Sequence, residues 1–414
     1  MKNSGIEWVG EIPDNWEVTK TKYQFQYKKE IAGLCCNKYE RLALTMKNVV
    51  KRSKEDNTGL QPEKFETYQI LRKDELVFKL IDLQNVSTSR VGRSPFVGIV
   101  SPAYIILRQY GKVLPCYAEK YFFVLWKNQI FNSLGDDGVR SNLGKDDLLN
   151  IPMPIPSLSE QKAIAEFLDK KCGEVDALIA DIQQEIETLE QYKRSVITES
   201  VTKGLDPSVP MIDSGIDWVG IMPKHWKKMP NKYLMYKEKT ICPVYNGESI
   251  LSLTMKGVVV RDLEAGGKMP TSFDGYQQIK AGNLLMCLFD IDVTPRCIGL
   301  ICNNGVTSPA YSQFIMKKNA YAPFYSYYYL MVDFTKELLH MAKNLRHSLN
   351  EEQFGAILAP VPPIEEQQQI ADYLDKKCKE IEEIIADKQS QIETLESYKK
   401  SLIYECVTGK KEVG

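Results

Sequence analysis

The amino-acid sequence contains the same unit twice, and this duplication constrains the fold more than any other feature. Each block of the first copy recurs 206 to 210 residues later, in the same order. Two copies of so long a unit differ from a solenoid, which needs three or more short repeats to bury a core. We therefore expect two similar globular domains, each followed by a similar helix. The matching blocks are residues 4–10 with 214–220, 44–47 with 253–256, 101–104 with 308–311, and 168–172 with 374–378.

The composition is that of an ordinary globular protein, with 43% hydrophobic and 26% charged residues among 414. No apolar run approaches the ~20 residues of a membrane span, and the first residues lack the apolar core of a signal peptide. We therefore expect a cytoplasmic protein that contacts no membrane. The ten cysteines suit free thiols in that compartment. The three histidines are not paired at the spacing of zinc ligands, so no metal site is predicted.

The net charge of the whole chain is −1, but the sign of the charge alternates from one segment to the next. Residues 1–157 carry +5 and residues 206–363 carry +2, whereas residues 158–205 and 364–414 carry −4 each. Basic globules that alternate with acidic helices favour a polyanionic partner for the globules. The excess of positive charge is small, so a neutral partner is also compatible with it.

Two long helices are the clearest structural prediction. After a proline-rich segment, Ser157 or Ser159 is suited to cap the first helix. In both copies apolar residues then recur at alternating steps of four and three, which is a heptad repeat through about four heptads. The seam positions that we expect to pair the helices are Leu168, Val175, Ile179, Ile182, Ile186 and Leu189 in the first copy and Leu374, Ile381, Ile385, Ile392, Leu395 and Leu402 in the second.

Two such seams in one chain most economically pack against each other, and a pseudo-two-fold relation between the copies makes the helices antiparallel. Lys193, Lys388 and Lys399 occupy seam positions, where their ammonium groups can extend to the edge and disfavour slipped registers. The alternative is that each helix packs only on its own domain. By symmetry, the block at residues 4–10 should lie near the end of the second helix, which makes the molecule quasi-circular.

The predicted fold is α+β, with two similar mixed α/β domains, 1–157 and 206–363, joined by two long antiparallel coiled-coil helices, 158–205 and 364–414. Short apolar runs predict strands at 76–80, 104–107, 284–288 and 313–316. Trp8, Trp16, Trp218 and Trp226 occupy matching positions and are expected in the core or between domain and helix. A tyrosine-rich run at 325–329 is expected to begin a helix rather than to stack on bases.

Cations that both copies share are candidates for DNA phosphate contacts, because two surfaces that read different sequences still meet the same backbone. Positions that differ between the copies are candidates for base reading, where arginine suits guanine and Asn or Gln suits adenine. Asn48, Gln84 and Arg93 are therefore predicted base readers, although each alone could be a solvated surface residue. The full DNA-binding set is Lys47, Asn48, Lys51, Arg52, Gln84, Arg90, Arg93 and Arg140, with Lys256, Arg261, Arg296 and Arg346.

The sequence carries no phosphate-binding loop, Gly-x-Gly cofactor turn or nucleophile elbow. Ser-Pro-Ala-Tyr at 101–104 and 308–311 is similar to the Asn/Asp/Ser-Pro-Pro-aromatic motif of amino-methyltransferases. Alanine replaces the second proline, however, and no glycine-rich turn for the methyl donor accompanies the motif. We interpret it as a turn that enters a strand, and we predict no catalytic residue and no cofactor bound by this chain.

Three features together give a resemblance to the specificity subunits of type I restriction–modification enzymes. Residues 8–16 read Trp-x-Gly-x-x-Pro-x-x-Trp and recur at 218–226. A proline-rich entry into the helix at 151–161 recurs more loosely at 358–367. The approach from Gly138 through Arg140 to Leu143 departs in the second copy, where Asn344 and Leu345 precede Arg346 in place of Gly138 and Val139. The resemblance covers nearly the whole chain.

The resemblance implies two target-recognition domains that read a split site in double-stranded DNA, separated by helices that pair antiparallel. It also implies two methyltransferase subunits that bind S-adenosylmethionine and methylate adenine, and two motor–nuclease subunits that use ATP and Mg and cleave unmodified DNA. Half-sites about one helical turn, ~34 Å, apart would suit two readers on a rigid rod.

Two other interpretations stay open from the sequence. A scaffold with duplicated protein-binding domains would bind without the steep salt dependence of a DNA contact. A specificity module that serves a single-chain methyltransferase–nuclease would differ in the genes that lie beside it.

Overall fold

The computed structural model describes residues 1–46, 48–56, 64–83, 89–134, 142–264, 270–342 and 346–413. Contacts divide the chain into two compact units, which we name the first unit, Met1–Ile182 with Gln389–Gly414, and the second unit, Gln183–Lys388. Each unit therefore combines one globule with half of each long helix. The predicted domain boundaries, which separate globules from helices, stay a prediction.

The globule of the first unit consists of short strands, most of which pair antiparallel. The strands are β1 Lys2–Asn3, β2 Glu11–Ile12, β3 Glu17–Lys20, β4 Phe25–Tyr27, β5 Arg41–Leu44, β6 Val49–Arg52, β7 Gln69–Leu71, β8 Leu76–Phe78, β9 Val91–Arg93, β10 Gly98–Val100, β11 Ile105–Gln109 and β12 Pro152–Ile155. Its two largest sheets have four strands each, in the orders β6-β5-β10-β7 and β4-β11-β8-β9. The pairing of β10 with β5 is parallel. The helices are α1 Pro115–Lys127, α2 Ile130–Leu134, α3 Lys145–Asn150 and the long α4 Leu158–Lys203.

The second unit repeats this element order. Its largest sheet, ordered β16-β24-β21-β22, corresponds to β4-β11-β8-β9. The strands are β13 Met211–Asp213, β14 Ile221–Pro223, β15 Lys227–Pro230, β16 Met235–Glu238, β17 Thr240–Ile241, β18 Leu251–Thr254, β19 Gly257–Val260, β20 Gln277–Ile279, β21 Leu284–Met286, β22 Ile298–Leu300, β23 Gly305–Thr307, β24 Ser312–Met316 and β25 Leu358–Val361. The helices are α5 Ala322–Phe334, α6 Glu351–Ala356 and the long α7 Ile364–Val407.

The four predicted strands are confirmed with small shifts at their ends. The runs at 76–80 and 284–288 form β8 and β21, which end two residues earlier than predicted. The runs at 104–107 and 313–316 form β11 and β24. The tyrosine-rich run belongs to α5, where proline follows the first residue and suits the start of a helix. Tyr325, Tyr328 and Tyr329 are buried in the core of the second unit, and Tyr327 packs against that core.

The heptad seam stays a prediction that burial supports, because each of its apolar positions is buried or half-buried. Along 176–192 of α4, the described residues between seam positions are all exposed. Six seam residues are buried, namely Leu168, Val175, Leu374, Ile381, Ile392 and Leu402. Six are half-buried, namely Ile179, Ile182, Ile186, Leu189, Ile385 and Leu395.

Within each unit, segments of α4 and α7 pair in antiparallel orientation, and the seam lysines mark the register. In the first unit, Lys399 forms an ion pair with Asp176 at 2.6 Å. In the second unit, Lys193 forms the equivalent pair with Glu382 at 2.6 Å, and Lys388 pairs with Glu185. The lysine ammonium groups thus reach the edge of the seam, as predicted.

Each long helix begins against a tryptophan. The Trp16 indole donates to Glu160 at 3.2 Å, and the Trp226 indole donates to Glu366 at 3.0 Å. Ser157 caps α4, since its hydroxyl accepts from the Glu160 amide and the Glu160 carboxylate accepts from the Ser157 amide. This reciprocal capping box satisfies two backbone donors that a helix start leaves free. The prediction that the tryptophans lie in the core or between domain and helix is confirmed for Trp16 and Trp226.

The end of α7 packs on the beginning of the chain, as predicted. The Tyr404 hydroxyl donates to the backbone oxygens of Trp8 and Val9 at 3.4 and 3.3 Å. The Lys410 ammonium donates to the Val9 oxygen at 2.7 Å. These contacts complete the core of the first unit, which includes Leu402 and Cys406.

Candidate nucleic-acid interface

In the second unit, three separate segments meet around the turn between β18 and β19. Lys256 is exposed at that turn. Arg296 precedes β22, and its guanidinium donates to the backbone oxygen of Met255 at 3.1 Å. The backbone oxygen of Arg346, an exposed residue, accepts from the Asp290 amide at 3.0 Å. Because Asp290 begins the loop that leads to Arg296, the fold brings together the segments that carry Lys256, Arg296 and Arg346.

Arg296 supports this turn from beneath. Its Nε donates to the Ile298 oxygen at 2.7 Å. A Cβ built on Gly257, whose φ is +96°, would lie 3.6 Å from the guanidinium, so the turn rests directly on the arginine. Burial lowers the pKa of Arg296, although Asp333 acts in the opposite direction. Arginine has so high an ordinary pKa that the group stays charged.

Arg261 lies apart from the turn. It follows the end of β19 at Val260, and its amide donates to the Ile250 oxygen at 2.7 Å. The four residues of β19 separate it from the turn by roughly 13 Å at about 3.3 Å per residue. The structure therefore connects the segments that carry Lys256, Arg296 and Arg346 and leaves Arg261 at the far end of β19.

A cavity of about 280 Å³ opens beside the turn and is lined mainly by apolar and aromatic side chains. Met255 and Val293 border it and are 64% and 73% exposed. Phe289 and Tyr311 stack within it, with ring centroids 6.3 Å apart. Neither Met255 nor Val293 belongs to the predicted DNA-binding set, although Val293 begins the segment 293–295, which replaces a Ser-Thr-Ser segment of the first copy.

In the first unit, Asn48 occupies the corresponding turn between β5 and β6. Its backbone oxygen accepts from the Thr45 hydroxyl at 2.8 Å, and its side-chain oxygen accepts from the Val49 amide at 2.8 Å. A Cβ on Gly92 would lie 3.1 Å from that side-chain oxygen, so β9 passes directly beneath the turn. The backbone and side-chain oxygens of Asn48 thus both help to close the turn.

Two further predicted cations lie on β6 and are held by carboxylates. Lys51 is exposed and forms an ion pair with Glu40 at 2.6 Å. Arg52 binds Asp56 at 2.7 Å through Nε, and this hydrogen bond raises the pKa of Arg52. An open depression beside β6 is lined by residues 37–41 and 51–55, which include Lys38 and Lys54. These lysines extend the basic surface beyond the predicted set.

Arg93 is restrained by two acidic side chains. Its Nη1 lies 2.8 Å from Asp74, and its Nε lies 3.6 Å from Glu119. Burial opposes the charged form, but Glu119 and Asp74 outweigh it, so the pKa of Arg93 is raised. To read a guanine, Arg93 would first have to release Asp74, which is half exposed.

The prediction that Arg90 contacts DNA is wrong for this structure. Its side chain is fully buried, with 0% exposure, and its Nη2 donates to the Asp82 backbone oxygen. Burial lowers the pKa of Arg90. The loop turns at Asp82, whose φ is +55°, and this turn places the Asp82 oxygen within reach of the arginine. Arg90 therefore stabilises the loop from inside. Lys47, Gln84 and Arg140 lie outside the described residues.

The repeated Ser-Pro-Ala-Tyr segment is a structural turn. The Gln69 side-chain amide donates to the Ser101 and Tyr104 backbone oxygens at 2.9 and 2.6 Å. Gln277 makes the same two bonds in the second unit, both at 2.8 Å. The prediction of a turn that enters a strand is confirmed, since β11 and β24 follow directly.

Within the described ranges, no group of three His, Cys, Asp or Glu side chains could hold a metal ion. None of the helices in this part of the chain is long and apolar enough to cross a bilayer.

Comparison with known families decides the classification. The family described as type I restriction modification DNA specificity domain matches residues 13–188 and 298–394, which is more than half of the chain. The chain belongs to this family. As a member of this family, the chain is a type I restriction–modification DNA specificity subunit.

One curated relative matches nearly the whole length of this specificity subunit, and a second matches 62% of it. It is 24% identical over 432 residues to the putative type I restriction enzyme MjaX specificity subunit of Methanocaldococcus jannaschii, covering 98% of this chain and 96% of that one. It is 25% identical over 281 residues to the EcoKI specificity subunit of Escherichia coli K12, covering 62% and 53%.

A chain solved in a study of complex assembly and conformational transition of the type I R-M system has a similar fold. The TM-score is 0.70 at 12% identity, over 97% of this chain and 100% of that one. At such low identity the likeness supports the fold alone.

Proposed function

We propose that the chain reads a bipartite site in double-stranded DNA, with one half-site for each globule, and directs adenine methylation and restriction by partner subunits. The observation that carries this proposal is the turn that recurs in both units, β5–β6 and β18–β19, with polar and basic side chains around it. A surface repeated in this way suits two half-sites on one duplex.

The distribution of charge supports a DNA-binding function over that of a scaffold that binds proteins. Lys51, Lys256 and Arg346 are exposed on the globules, where they can meet phosphates. The long helices carry the acidic excess, which disfavours close approach of DNA to them.

The reaction itself belongs to the partners in this proposal. Two methyltransferase subunits would bind S-adenosylmethionine and methylate adenine, one in each half-site. Two motor–nuclease subunits would use ATP and Mg to cleave unmodified DNA. The chain contributes the sequence specificity for the DNA site, through residues at the turns and the neighbouring loops.

Exchange of one globule tests the proposal. Residues 211–357 are replaced by the matching segment of another specificity subunit, and methylated adenines are mapped by single-molecule sequencing in cells that also carry the methyltransferase. We expect one half of the recognised sequence to change and the other half to stay. A chimera that folds and methylates at the original complete site would contradict the proposal.

A further inference from the structure

The second unit is apolar at several positions where the first copy has lysine or serine. Three exposed apolar side chains occupy such positions, namely Val260, Leu263 and Val293. The first copy has Lys51, Lys54 and Ser87 in their place. Val260 and Leu263 lie at and after the end of β19, and Val293 lies in the loop between β21 and β22. The two units therefore differ in the chemistry of corresponding surfaces, and the second offers apolar contacts.

The strands β18 and β19 form a ribbon that suits the major groove of DNA. They make up a two-stranded sheet, whereas the corresponding β5 and β6 belong to a four-stranded sheet. The major groove admits a ribbon of two strands. Met255 and Lys256 connect the two strands, and both are exposed. A ribbon in the groove would therefore bring Met255 to the base edges and Lys256 to the phosphate backbone.

The ribbon rests directly on the strand beneath it. A Cβ built on Gly299 of β22 would lie 2.8 Å from Val258 and 3.1 Å from Leu253, so the two layers are in close contact. The Arg296 guanidinium also donates to the backbone oxygen of Met255 at 3.1 Å. These contacts hold the backbone of the tip and leave the Met255 side chain 64% exposed. A tip that is held in place before binding loses less entropy when it meets a ligand.

Met255 and Val293 come from separate segments and border the same cavity beside the turn. Phe289 and Tyr311 also line this cavity, and the donors of Arg296 are directed to backbone oxygens. Such a surface favours an apolar group as its ligand, since contact removes apolar area on both sides from water. In the major groove the apolar group is the C5-methyl of thymine.

We infer that Met255 and Val293 together contact the C5-methyl group of a thymine in the half-site that the second unit reads. This inference rests on the proposed function and adds a specificity-determining contact to it. Because Ser87 stands in place of Val293 in the first copy, this apolar pair belongs to the second unit. The two half-sites are thus read by different chemistry, although the two units share one fold.

Replacement of thymine by deoxyuridine tests the inference, because deoxyuridine lacks only the C5-methyl group and pairs in the same way. The probe is a duplex oligonucleotide that carries the mapped methylation site. The exchange of residues 211–357 identifies the half read by the second unit. Under the proposed function this half contains at least one thymine, since the methylated adenine pairs with one.

Each thymine of this half is replaced in turn, and binding of the methyltransferase complex is measured by fluorescence anisotropy. We expect one position at which the replacement weakens binding roughly fourfold, the value for removing one buried methyl group. Replacements at other positions should have smaller effects.

Met255→Ala with Val293→Ser is the matching change in the protein. At the sensitive position, this double variant should bind the thymine and deoxyuridine duplexes with equal affinity. Met46→Ala is the matched control, because Met46 is the equivalent residue of the first unit and is 47% exposed. The control should keep the preference for thymine. The ratio of the two affinities isolates the methyl contact, since a folding defect would weaken binding of both duplexes alike.

Two results would overturn the inference directly. The first is a preference for thymine that the double variant retains. The second is equal binding of thymine and deoxyuridine by the unaltered complex at every position. Loss of methyltransferase subunits from the double variant, with the preference for thymine retained, would make Met255 and Val293 part of a protein contact instead.

The same methyl group occurs in 5-methylcytosine, so the cytosines of this half-site are replaced by 5-methylcytosine in a parallel series. A gain in affinity there, without any loss from deoxyuridine, would assign the apolar pair to methylated cytosine and overturn the assignment to thymine. All these outcomes leave the proposed function standing. By contrast, an unaltered complex that binds no specific DNA site would refute the proposed function and the inference with it.

Discussion

Lys256 and Arg296 lie at the same turn but differ in what they can offer to DNA. Arg296 is half-buried and directs its donors to the backbone oxygens of Met255 and Ile298. Lys256 is exposed at the tip of the turn, where an ammonium acts as a point charge for phosphate. We therefore expect Arg296 to hold the turn and Lys256 to meet the DNA backbone.

This difference gives a prediction for Lys256→Ala. Binding of the methyltransferase complex to DNA should weaken by a similar factor for specific and unrelated sequences. The slope of log affinity against log salt should fall by about 1, since one phosphate contact is lost. Fluorescence anisotropy over a salt series measures both. Lys162→Ala on α4, a lysine that is 71% exposed, is the control and should leave the slope unchanged. An unchanged slope for Lys256→Ala would remove this residue from the interface.

At the scale of residues, the sequence could identify the cations that both copies share but not which of their side chains reach the surface. Arg90 and Arg296 are equivalent cations, and the assumption that shared cations meet phosphate fails for Arg90. Its burial depends on the backbone turn at Asp82, which no local sequence pattern specifies. Arg93 could be recognised as a cation, whereas its carboxylate partner Glu119 lies 26 residues away on α1. Long-range pairings of this kind need the fold.

Among the elements, the long helices could be predicted best because a heptad repeat is a strong periodic signal. The proline-rich entry and the cap at Ser157 also fixed the start of α4 closely. The strands were harder to predict, since most are only three or four residues long and several pair with strands distant in sequence. For example, β12 pairs with β3 across more than 130 residues.

The seam lysines support a prediction about the helix pair. Lys399→Glu should lower the urea midpoint of unfolding, because it places a carboxylate opposite Asp176. Adding Asp176→Lys should restore most of the loss by reversing the ion pair. Since both groups are partly exposed, we expect a coupling free energy of about 0.2–1 kcal/mol. Lys400→Glu, one residue outside the seam, is the control and should have little effect. Equal effects of Lys399→Glu and Lys400→Glu would contradict a register role for Lys399.

For the whole molecule, we propose that the paired helices set the length of the unread spacer in the DNA site. Inserting one heptad in phase into each helix adds roughly 10 Å of helix at 1.5 Å per residue. The methylated sites mapped in cells should then have a longer spacer and the same two half-sites. A single insertion in α4 alone is the control and should destabilise the pairing. If methylation keeps its original spacing in a folded double-insertion variant, the helices do not measure the spacer.

The composition of the first unit also has a consequence for how the chain is made. Leu402, Ile403, Cys406 and Val407 complete a core whose other buried residues lie between Ile6 and Cys172. The ribosome synthesises the end of α7, which carries these residues, more than 200 residues after the start of α4. Until then, the nascent globule exposes the apolar surface that α7 will cover, and such exposed surface favours aggregation. We therefore expect incomplete nascent chains to need protection by chaperones. Two domains that each folded independently would not have this requirement.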